Sequence, residues 1–405
     1  MQSKKTGLSD EEMAGNYLRE KDIVIIGYGE IKNELRSGKT APELASEAME
    51  QLLERTGLTN RDIDGLAINL PAAEVGNSFY SNILADNLGI EARWLQLSDI
   101  GGCAVLGNIA RAAAALKCGM CEIALCLNAD ASSRRQQTSV LNYRTEFQEP
   151  AGYQGPLIAF GLMTDAYNQK YGLKQEALGK LAIAQRNGAL TNDNAVANLR
   201  KPMTMDDYLN SRMVSDPIRL LDCVMRCDGA NGVIVTTLDR AKALGAKKMV
   251  RLAAYSEISN YDPTNAQPDP FESGFSVVGP DALKKAGIIP GDVDMFHPYD
   301  DFLIAMLFQL EQIGFCKRGE GSDFLLNTDL SHAGKLPINT GGGQISAGQP
   351  GLAGGGVNAV EAVRQLFGEA GTRQVPNAKN ALVTGIGVVP YFRNWGSSVA
   401  MVMEA

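Results

Sequence analysis

Histidine is almost absent from this chain, which has only His297 and His332 among its 405 residues. Two histidines exclude most histidine-rich metal centres and any mechanism that needs several imidazoles. Long apolar runs are missing too: none approaches the ~20 residues that a membrane-spanning helix needs. Residues 1–21 are polar and of mixed charge, so we expect an irregular arm there rather than a signal peptide.

Positive charge is not concentrated anywhere in the sequence. The formal net charge is −8, and without a basic cluster nucleic-acid binding has no electrostatic support. The seven cysteines are an odd number without disulfide-framework spacing, which is typical of a reducing cytoplasm. Cys118 and Cys121 form a lone C-x-x-C pair, whereas a structural zinc site usually needs four ligands. We therefore predict a cytoplasmic protein with no metal, membrane or nucleic-acid partner.

Short β-branched runs, beginning with residues 23–26, alternate with amphipathic helices along most of the chain. This alternation predicts an α/β fold with a largely parallel, helix-covered sheet. The first helix has clear boundaries: Thr40 as its cap, Pro42 in its first turn, Glu43 at the capping-box position and Gly57 at its end.

One connection occurs twice, 230 residues apart. Around Gly57 and again around Gly287, a helix ends at glycine, an aliphatic residue follows, and an Asp-aliphatic-Asp motif comes next. We infer an internal duplication, with halves at 1–247 and 248–405, whose shared seam is a natural active-site location. Residues 130–222 interrupt the first half as a loop-rich insertion, a place where specificity often lies.

Cys103 follows two glycines where a strand-like run leads into a helix made almost wholly of Ala, Ile, Val and Leu. Glycines allow a sharp turn, and the positive end of a helix dipole favours thiolate over thiol. A thiolate is a nucleophile, so this arrangement is a plausible way to present one. The same pattern also fits a core thiol, because free cysteine is among the most buried residue types.

Three polar clusters follow in the second half. Tyr299-Asp300-Asp301-Phe302 lies between a strand end and a helix over 303–313. A glycine-dense loop, 339–351, precedes another helix, and Thr384-Gly385-Ile386-Gly387 ends a strand.

Together these motifs resemble the thiolase superfamily over nearly the whole chain, residues 23–403. The resemblance is greatest to the branch related to the thiolase domain of sterol carrier protein X, through residues 212–223, 299–316 and 339–356. It implies a duplicated, five-layered α-β-α-β-α fold, usually a homodimer, that binds acyl-CoA with coenzyme A as a substrate. Cys103 then falls on the nucleophile position.

The departures from the family pattern affect the acid–base groups. Gly348-Gln349-Pro350 replaces Gly-His-Pro, and glutamine can donate to an oxyanion but cannot act as a base near neutral pH. Tyr299-Asp300-Asp301-Phe302 replaces His-Asp-Cys-Phe. Either Tyr299 or Asp301 is a candidate acid/base if burial shifts its pKa, while the ordinary role of Asp301 is a helix cap.

Other expectations concern the surroundings of the site. Gly348, Gly385 and Gly387 are candidate acyl-CoA contacts, with backbone amides near Gly385 and Gly387 as oxyanion donors. His297 is expected in the core or behind the site, and His332 on the surface. Tyr391 is a candidate for shaping the acyl pocket, although a structural role fits it equally.

Replacements of this kind occur in thiolase-like proteins that work with a small partner subunit carrying an OB fold and a zinc ribbon. These include benzoylsuccinyl-CoA thiolases and steroid side-chain aldolases. The aldolases generally lack the nucleophilic cysteine, so Cys103 favours thiolysis of a bulky or branched β-ketoacyl-CoA, with 2-benzoylsuccinyl-CoA as one candidate. Zinc is expected only in the partner.

Two alternatives remain open. The first is a retro-aldol lyase that acts on a β-hydroxyacyl-CoA, with Tyr299 as base and no covalent intermediate. The second is an acyl-CoA-binding subunit without activity.

Overall fold

A computed structural model describes residues 22–134, 149–153, 155–261, 271–387 and 395–405. The N-terminal arm, most of the polar run after Ser132 and Tyr391 lie outside these residues. The strands are β1 (Ile23–Glu30), β2 (Gly65–Asn69), β3 (Trp94–Ser98), β4 (Ile123–Ala131), β5 (Met213–Ser215), β6 (Ile218–Arg219), β7 (Asp228–Thr237), β8 (Val250–Tyr261), β9 (Phe296–His297), β10 (Asn380–Ile386) and β11 (Trp395–Glu404). The α-helices are α1 (Ala41–Thr56), α2 (Tyr80–Asn87), α3 (Ala104–Lys117), α4 (Pro156–Tyr171), α5 (Gln175–Leu190), α6 (Met205–Leu209), α7 (Leu238–Ala243), α8 (Phe275–Ala286), α9 (Leu303–Ile313), α10 (Gly321–Asn327), α11 (Gly343–Ala347) and α12 (Gly355–Leu366).

The helix α1 has the boundaries that the sequence predicts. The Thr40 amide donates to the Glu43 carboxylate, and the Glu43 amide donates back to the Thr40 hydroxyl, which completes a capping box. Gly57 ends the helix in the left-handed conformation, with φ of 70°. Leu44 and Leu52 form part of its buried stripe. A cap of this kind contributes roughly 1 kcal/mol to stability.

Nine strands form one sheet in the order β3-β2-β4-β7-β1-β8-β11-β10-β9. The expectation of a largely parallel sheet is wrong, because only β2–β3, β2–β4 and β9–β10 pair in parallel. After the insertion the chain returns to the sheet at the C-terminal end of β4. The strand β7 therefore runs antiparallel to β4, with Gly229 opposite Asp130. Local alternation of helices and strands does not encode this return.

The apolar residues form separate cores between layers. In β1, Ile23 and Ile25 face a central core shared with α3 and α12, whereas Val24 and Ile26 face an outer core shared with α1. Both faces of the strand are therefore buried, which explains its continuous apolar run. A third core lies under α8 and α9. The central core also contains residues of β10 and β11, so α3 and α12 lie between the strands of the two halves of the continuous sheet. This arrangement gives the layer order α-β-α-β-α and confirms the predicted fold class.

The insertion joins the outer layer of the second half. Phe160 of α4, Leu181 of α5 and Tyr208 of α6 share the core of α9, where Phe160 stacks on Phe302 with ring centroids 4.4 Å apart. Its helices therefore hold the segment that enters α9, which carries Tyr299 and Asp301. In the described part of the chain, no helix is long and apolar enough to cross a membrane.

The repeated connection has the same conformation in both copies. Gly57 and Gly287 have φ of 70° and 73°. The carboxylates of Asp64 and Asp294 then accept two backbone amides each, from the starts of β4 and β10 respectively. The duplication is thus visible in the hydrogen bonds as well as in the sequence.

Candidate active site

The turn that presents Cys103 packs against the end of β10. Gly101–Cys103 form a short 3-10 helix that continues directly into α3. Gly101 has φ of 58°, and a Cβ there would lie 3.0 Å from the carbonyl carbon of Gly387. Gly101 is needed because backbone meets backbone at this point.

The Cys103 thiol is fully buried. Burial raises the pKa of Cys103 well above its usual value, and the nearby Glu257 carboxylate raises it further, while Arg111 lowers it. The expected effect of the helix dipole is therefore outweighed. The helical turn already begins at Gly101, and the Cys103 amide donates to the Ile100 carbonyl at 3.2 Å, so the thiol does not sit at a free helix end.

Tyr299 lies directly over this turn. A Cβ on Gly102 would be 2.3 Å from the Tyr299 phenol oxygen, so only glycine admits the ring in this position. Burial raises the pKa of Tyr299 well above 10, with Asp301 and Cys103 adding to the rise and a hydrogen bond with the Gln349 side chain opposing it. Tyr299 therefore holds its proton at neutral pH and is suited to donate it.

Asp301, two residues after Tyr299, carries a charge that raises the pKa of this phenol, and it is not a helix cap. The cap of α9 is Phe302, without a side-chain hydrogen bond, so the capping interpretation is wrong. Asp301 Oδ1 is buried and has no hydrogen-bond partner among the described residues. Burial, with the neighbouring Asp300, raises the pKa of Asp301 to about 7. A carboxyl group with this pKa can exchange a proton near neutrality.

Gln349 completes the arrangement around the phenol. Its backbone is held on both sides, since Gln349 N donates to Met225 O at 2.8 Å and Cys227 N donates to Gln349 O at 2.9 Å. Its side-chain nitrogen donates to Gln344 Oε1 at 3.2 Å, and the same amide hydrogen-bonds with Tyr299. The structure thus brings Cys103, Tyr299, Asp301 and Gln349 into one region, in which Cys103 and Tyr299 are buried while Asp301 and Gln349 are partly exposed.

The three predicted glycines are packed closely. A Cβ on Gly385 would lie 3.0 Å from the Gly102 carbonyl oxygen, and one on Gly348 would meet Val196 and Cys227. The Gly387 amide already donates to the Ser397 carbonyl at 2.8 Å, so it is not free to donate to an oxyanion. Roles for Gly348, Gly385 and Gly387 in acyl-CoA binding stay predictions.

His297 lies in the core as expected. It is fully buried, and burial lowers its pKa to about 4, so it stays neutral. Neither of its ring nitrogens has a partner among the described residues. His332 is exposed, also as expected.

Two groups near the site were missed from the sequence. One is Asp300, which lies within the motif Tyr299-Asp300-Asp301-Phe302 and accepts hydrogen bonds from Gln344 and Ile345. The other is an ion pair behind Cys103, in which Arg111 donates twice to Glu257 at 2.9 and 3.0 Å and Tyr255 donates a third hydrogen bond. Because 146 residues separate Arg111 from Glu257, local patterns carry no signal for it.

These residues form an acid–base arrangement more readily than a nucleophilic one. Tyr299 keeps its proton, and burial raises the pKa of Asp301 to about 7. Burial also raises the pKa of the Cys103 thiol, and no hydrogen bond joins this thiol to a base among the described residues. An activated cysteine normally needs such a base or a depressed pKa.

A family model and several known proteins match this chain. The model described as "Thiolase C-terminal domain-like" matches residues 256–395. A steroid side-chain-cleaving aldolase of Thermomonospora curvata is 30% identical over 387 residues, covering 90% of this chain and 95% of that protein. An acetyl-CoA acetyltransferase of Methanothermobacter thermautotrophicus is 27% identical, covering 91% of this chain and 96% of that protein.

The solved structure titled "Ltp2-ChsH2(DUF35) aldolase" has a similar fold. It superimposes with a TM-score of 0.82 at 28% identity, covering 95% of this chain and 98% of the matched chain.

Proposed function

Because this chain belongs to the thiolase superfamily, in the branch that includes sterol carrier protein 2 thiolases, we propose that it acts on an acyl-CoA thioester. The reaction that the geometry supports best is retro-aldol cleavage of a β-hydroxyacyl-CoA, with coenzyme A carried as part of the substrate. One observation carries this proposal: the Tyr299 phenol and the Asp301 carboxyl group lie in the same region as the Cys103 thiol, which has no base hydrogen-bonded to it among the described residues.

The chemistry needs one base and one acid. Asp301, as a carboxylate, removes the proton of the β-hydroxyl group, and the oxygen electrons form a carbonyl as the Cα–Cβ bond breaks. The electron pair of that bond moves into the thioester, where the Gln349 amide is a candidate donor to the enolate oxygen. The Tyr299 phenol then gives a proton to Cα, and the proton that Asp301 has taken up returns to the phenolate and restores both groups. The products are a ketone or aldehyde and a shortened acyl-CoA.

The environment of Cys103 changes which of the two reactions is preferred. The sequence alone favours thiolysis, and in the alternative lyase reaction it makes Tyr299 the base. Burial raises the pKa of both Cys103 and Tyr299, which leaves Asp301 as the better base and Tyr299 as the acid. Similarity to two aldolases supports the same order.

A partner subunit is part of the proposal. The name of the matched aldolase structure gives two components, Ltp2 and ChsH2, and marks the second as DUF35. That match supports the small OB-fold and zinc-ribbon partner expected from the sequence, with zinc in the partner rather than in this chain. A homodimer core is proposed on the family resemblance.

Thiolysis is the second candidate, since Cys103, just before α3, has its Cα against Gly385 and its thiol near enough to Tyr299 to raise the pKa of the phenol. In this reaction Cys103 attacks the β-keto carbon, and free coenzyme A accepts the acyl group. The similarity to an acetyl-CoA acetyltransferase supports it.

Product analysis separates these functions. The protein, alone and with its partner, is incubated with bulky β-hydroxyacyl-CoA and β-ketoacyl-CoA thioesters, with and without free coenzyme A, and products are identified by mass spectrometry. We expect cleavage of the hydroxy substrates without free coenzyme A. We also expect Asp301→Asn and Tyr299→Phe to lose about 100-fold or more, the usual contribution of a general acid or base.

Cys103→Ala is the discriminating variant. Under the lyase proposal it retains most of its turnover. Cleavage that requires free coenzyme A and disappears in Cys103→Ala would establish thiolysis instead. Binding of acyl-CoA by calorimetry without turnover under any condition would indicate a non-catalytic subunit.

A further inference from the structure

We propose that Thr384 and Gln309 are positioning residues that set the place of the Tyr299 phenol, an inference that rests on the proposed function. Three hydrogen bonds form a closed ring. Tyr299 N donates to Thr384 Oγ1 at 2.9 Å, the Thr384 hydroxyl donates to Gln309 Oε1, and Gln309 Nε2 donates to the Tyr299 carbonyl at 2.8 Å.

The ring is needed because Tyr299 lies outside regular secondary structure. The strand β9 ends at His297 and α9 begins at Leu303, so neither supplies partners for the peptide groups between them. A buried backbone amide or carbonyl without a partner is costly, and side chains must satisfy it. Thr384 and Gln309 each bind one of the two peptide groups of Tyr299.

Both side chains are fully buried, and they come from different layers of the fold. Thr384 belongs to β10 and Gln309 to α9, so the ring joins the sheet to the outer helix across the residue that carries the phenol. The second hydrogen of the Gln309 amide donates to Ala305 O at 3.0 Å within α9. This extra hydrogen bond fixes the plane of the Gln309 amide and therefore the geometry of the three-bond hydrogen-bonded ring.

The phenol has little room in which to move. The close fit of the Tyr299 ring on Gly102 means that a shift toward the turn produces a collision, while a shift away separates the phenol from Cys103 and Gln349. A misplacement of about 1 Å in a reacting group can cost about 100-fold in rate. The hydroxyl of Thr384 therefore affects a reaction that it does not touch.

The test compares Thr384→Val, which keeps the shape but loses the hydroxyl, with Thr384→Ser, which keeps the hydroxyl. We expect Thr384→Val and Gln309→Leu to lower kcat about 10- to 100-fold with KM changed less than about threefold, and Thr384→Ser to recover most of the rate.

Gln312→Leu is the matched control. Gln312 lies on the same helix and is similarly buried, but its amide bonds Ser273 and Phe271, away from the phenol. We expect it to lose stability without this fall in kcat. Equal effects on kcat from Gln312→Leu and Gln309→Leu, or an unchanged kcat in Thr384→Val, would overturn the inference.

A second readout does not depend on the reaction. The chain has 12 tyrosines, which can be replaced by 3-fluorotyrosine and followed by fluorine NMR, with the Tyr299 signal assigned from Tyr299→Phe. We expect this signal to move or broaden in Thr384→Val and to stay in place in Gln312→Leu. An unmoved signal in Thr384→Val refutes the positioning role of the Thr384 and Gln309 hydrogen bonds. Absence of lyase turnover in the wild type refutes only the proposed function.

Discussion

The carboxylate of Asp300 lies 3.0 Å from the backbone nitrogen of Gln344 and accepts its hydrogen. The same carboxylate accepts from the Ile345 amide and from the side chains of Asn358 and Gln185. Asp300 thereby ties the segment with the acid–base pair to the loop with Gln349, and to a helix of the insertion. Asp300 therefore helps to set the distance between the segment with Tyr299 and Asp301 and the loop with Gln349.

Removing the Asp300 carboxylate should destabilise the protein strongly. Asp300→Ala leaves several buried donors without an acceptor, and each such group costs about 1–3 kcal/mol when water cannot replace the partner. We expect a loss of at least about 3 kcal/mol in the free energy of unfolding, measured by urea denaturation. Asp206→Ala is the control, because Asp206 is exposed and surface substitutions stay within about 0.5 kcal/mol. Similar losses in both variants would contradict this role.

The sequence predicts the features of this fold that depend on local chemistry. The capping box of Thr40 and the left-handed end at Gly57 are local, and both were found. The Gly101-Gly102 turn before Cys103 was also predicted, because close backbone approach needs glycine wherever it occurs.

The features that were predicted wrongly or missed depend on contacts between residues that are distant in the sequence. Strand direction in the sheet depends on where the chain returns after the insertion. The pKa of Cys103 depends on how deeply the thiol is buried, and a motif alone does not report this. The ring around Tyr299 joins Gln309 to Thr384 across 75 residues, so no spacing rule finds it.

The rate of the proposed lyase should rise with pH around neutrality. Asp301 acts as a base only when it is ionised, and burial raises the pKa of Asp301 and that of its neighbour Asp300 to about 7. We expect kcat/KM to increase about tenfold per unit below about pH 7 and to level off above it. The Tyr299 phenol, with its pKa raised well above 10, should add no fall at moderately alkaline pH.

The variant Asp301→Asn tests the origin of this pH dependence. Its residual activity should be nearly independent of pH between about 6 and 8. A wild-type profile that is retained in Asp301→Asn would assign the titration to another group and remove Asp301 from the mechanism.

Glu361 should make stability depend on acid pH. Arg364 donates to this buried carboxylate, and Arg373 donates to it twice at 3.0 Å. These cations lower its pKa from 4.5 to about 2 despite burial. Because the pKa is lower in the folded state, the ionised Glu361 stabilises the protein at any pH above the unfolded-state pKa. This stabilisation is lost as the pH falls from about 4.5 to about 2.

Glu361→Gln should therefore destabilise the protein by about 3 kcal/mol at pH 7, as breaking a buried ion pair does. The difference from wild type should narrow as pH falls below about 4.5, measured by urea unfolding at several pH values. The control Asp323→Asn breaks the exposed pair with Lys174 and should cost less than about 1 kcal/mol. A difference that stays constant from pH 7 to pH 3 would contradict the ion-pair explanation.

Gly102 should tolerate no side chain. In Gly102→Ala the new methyl group would stand 2.3 Å from the Tyr299 phenol oxygen, so either the ring or the Cys103 turn must move. We expect turnover to fall about 100-fold, since the phenol leaves its place beside Asp301 and Gln349. Gly291→Ala is the matched control, because a Cβ there meets no atom within 4 Å. If Gly102→Ala cleaves substrate as fast as Gly291→Ala, the phenol does not work in the position described, and its role as the proton donor is refuted.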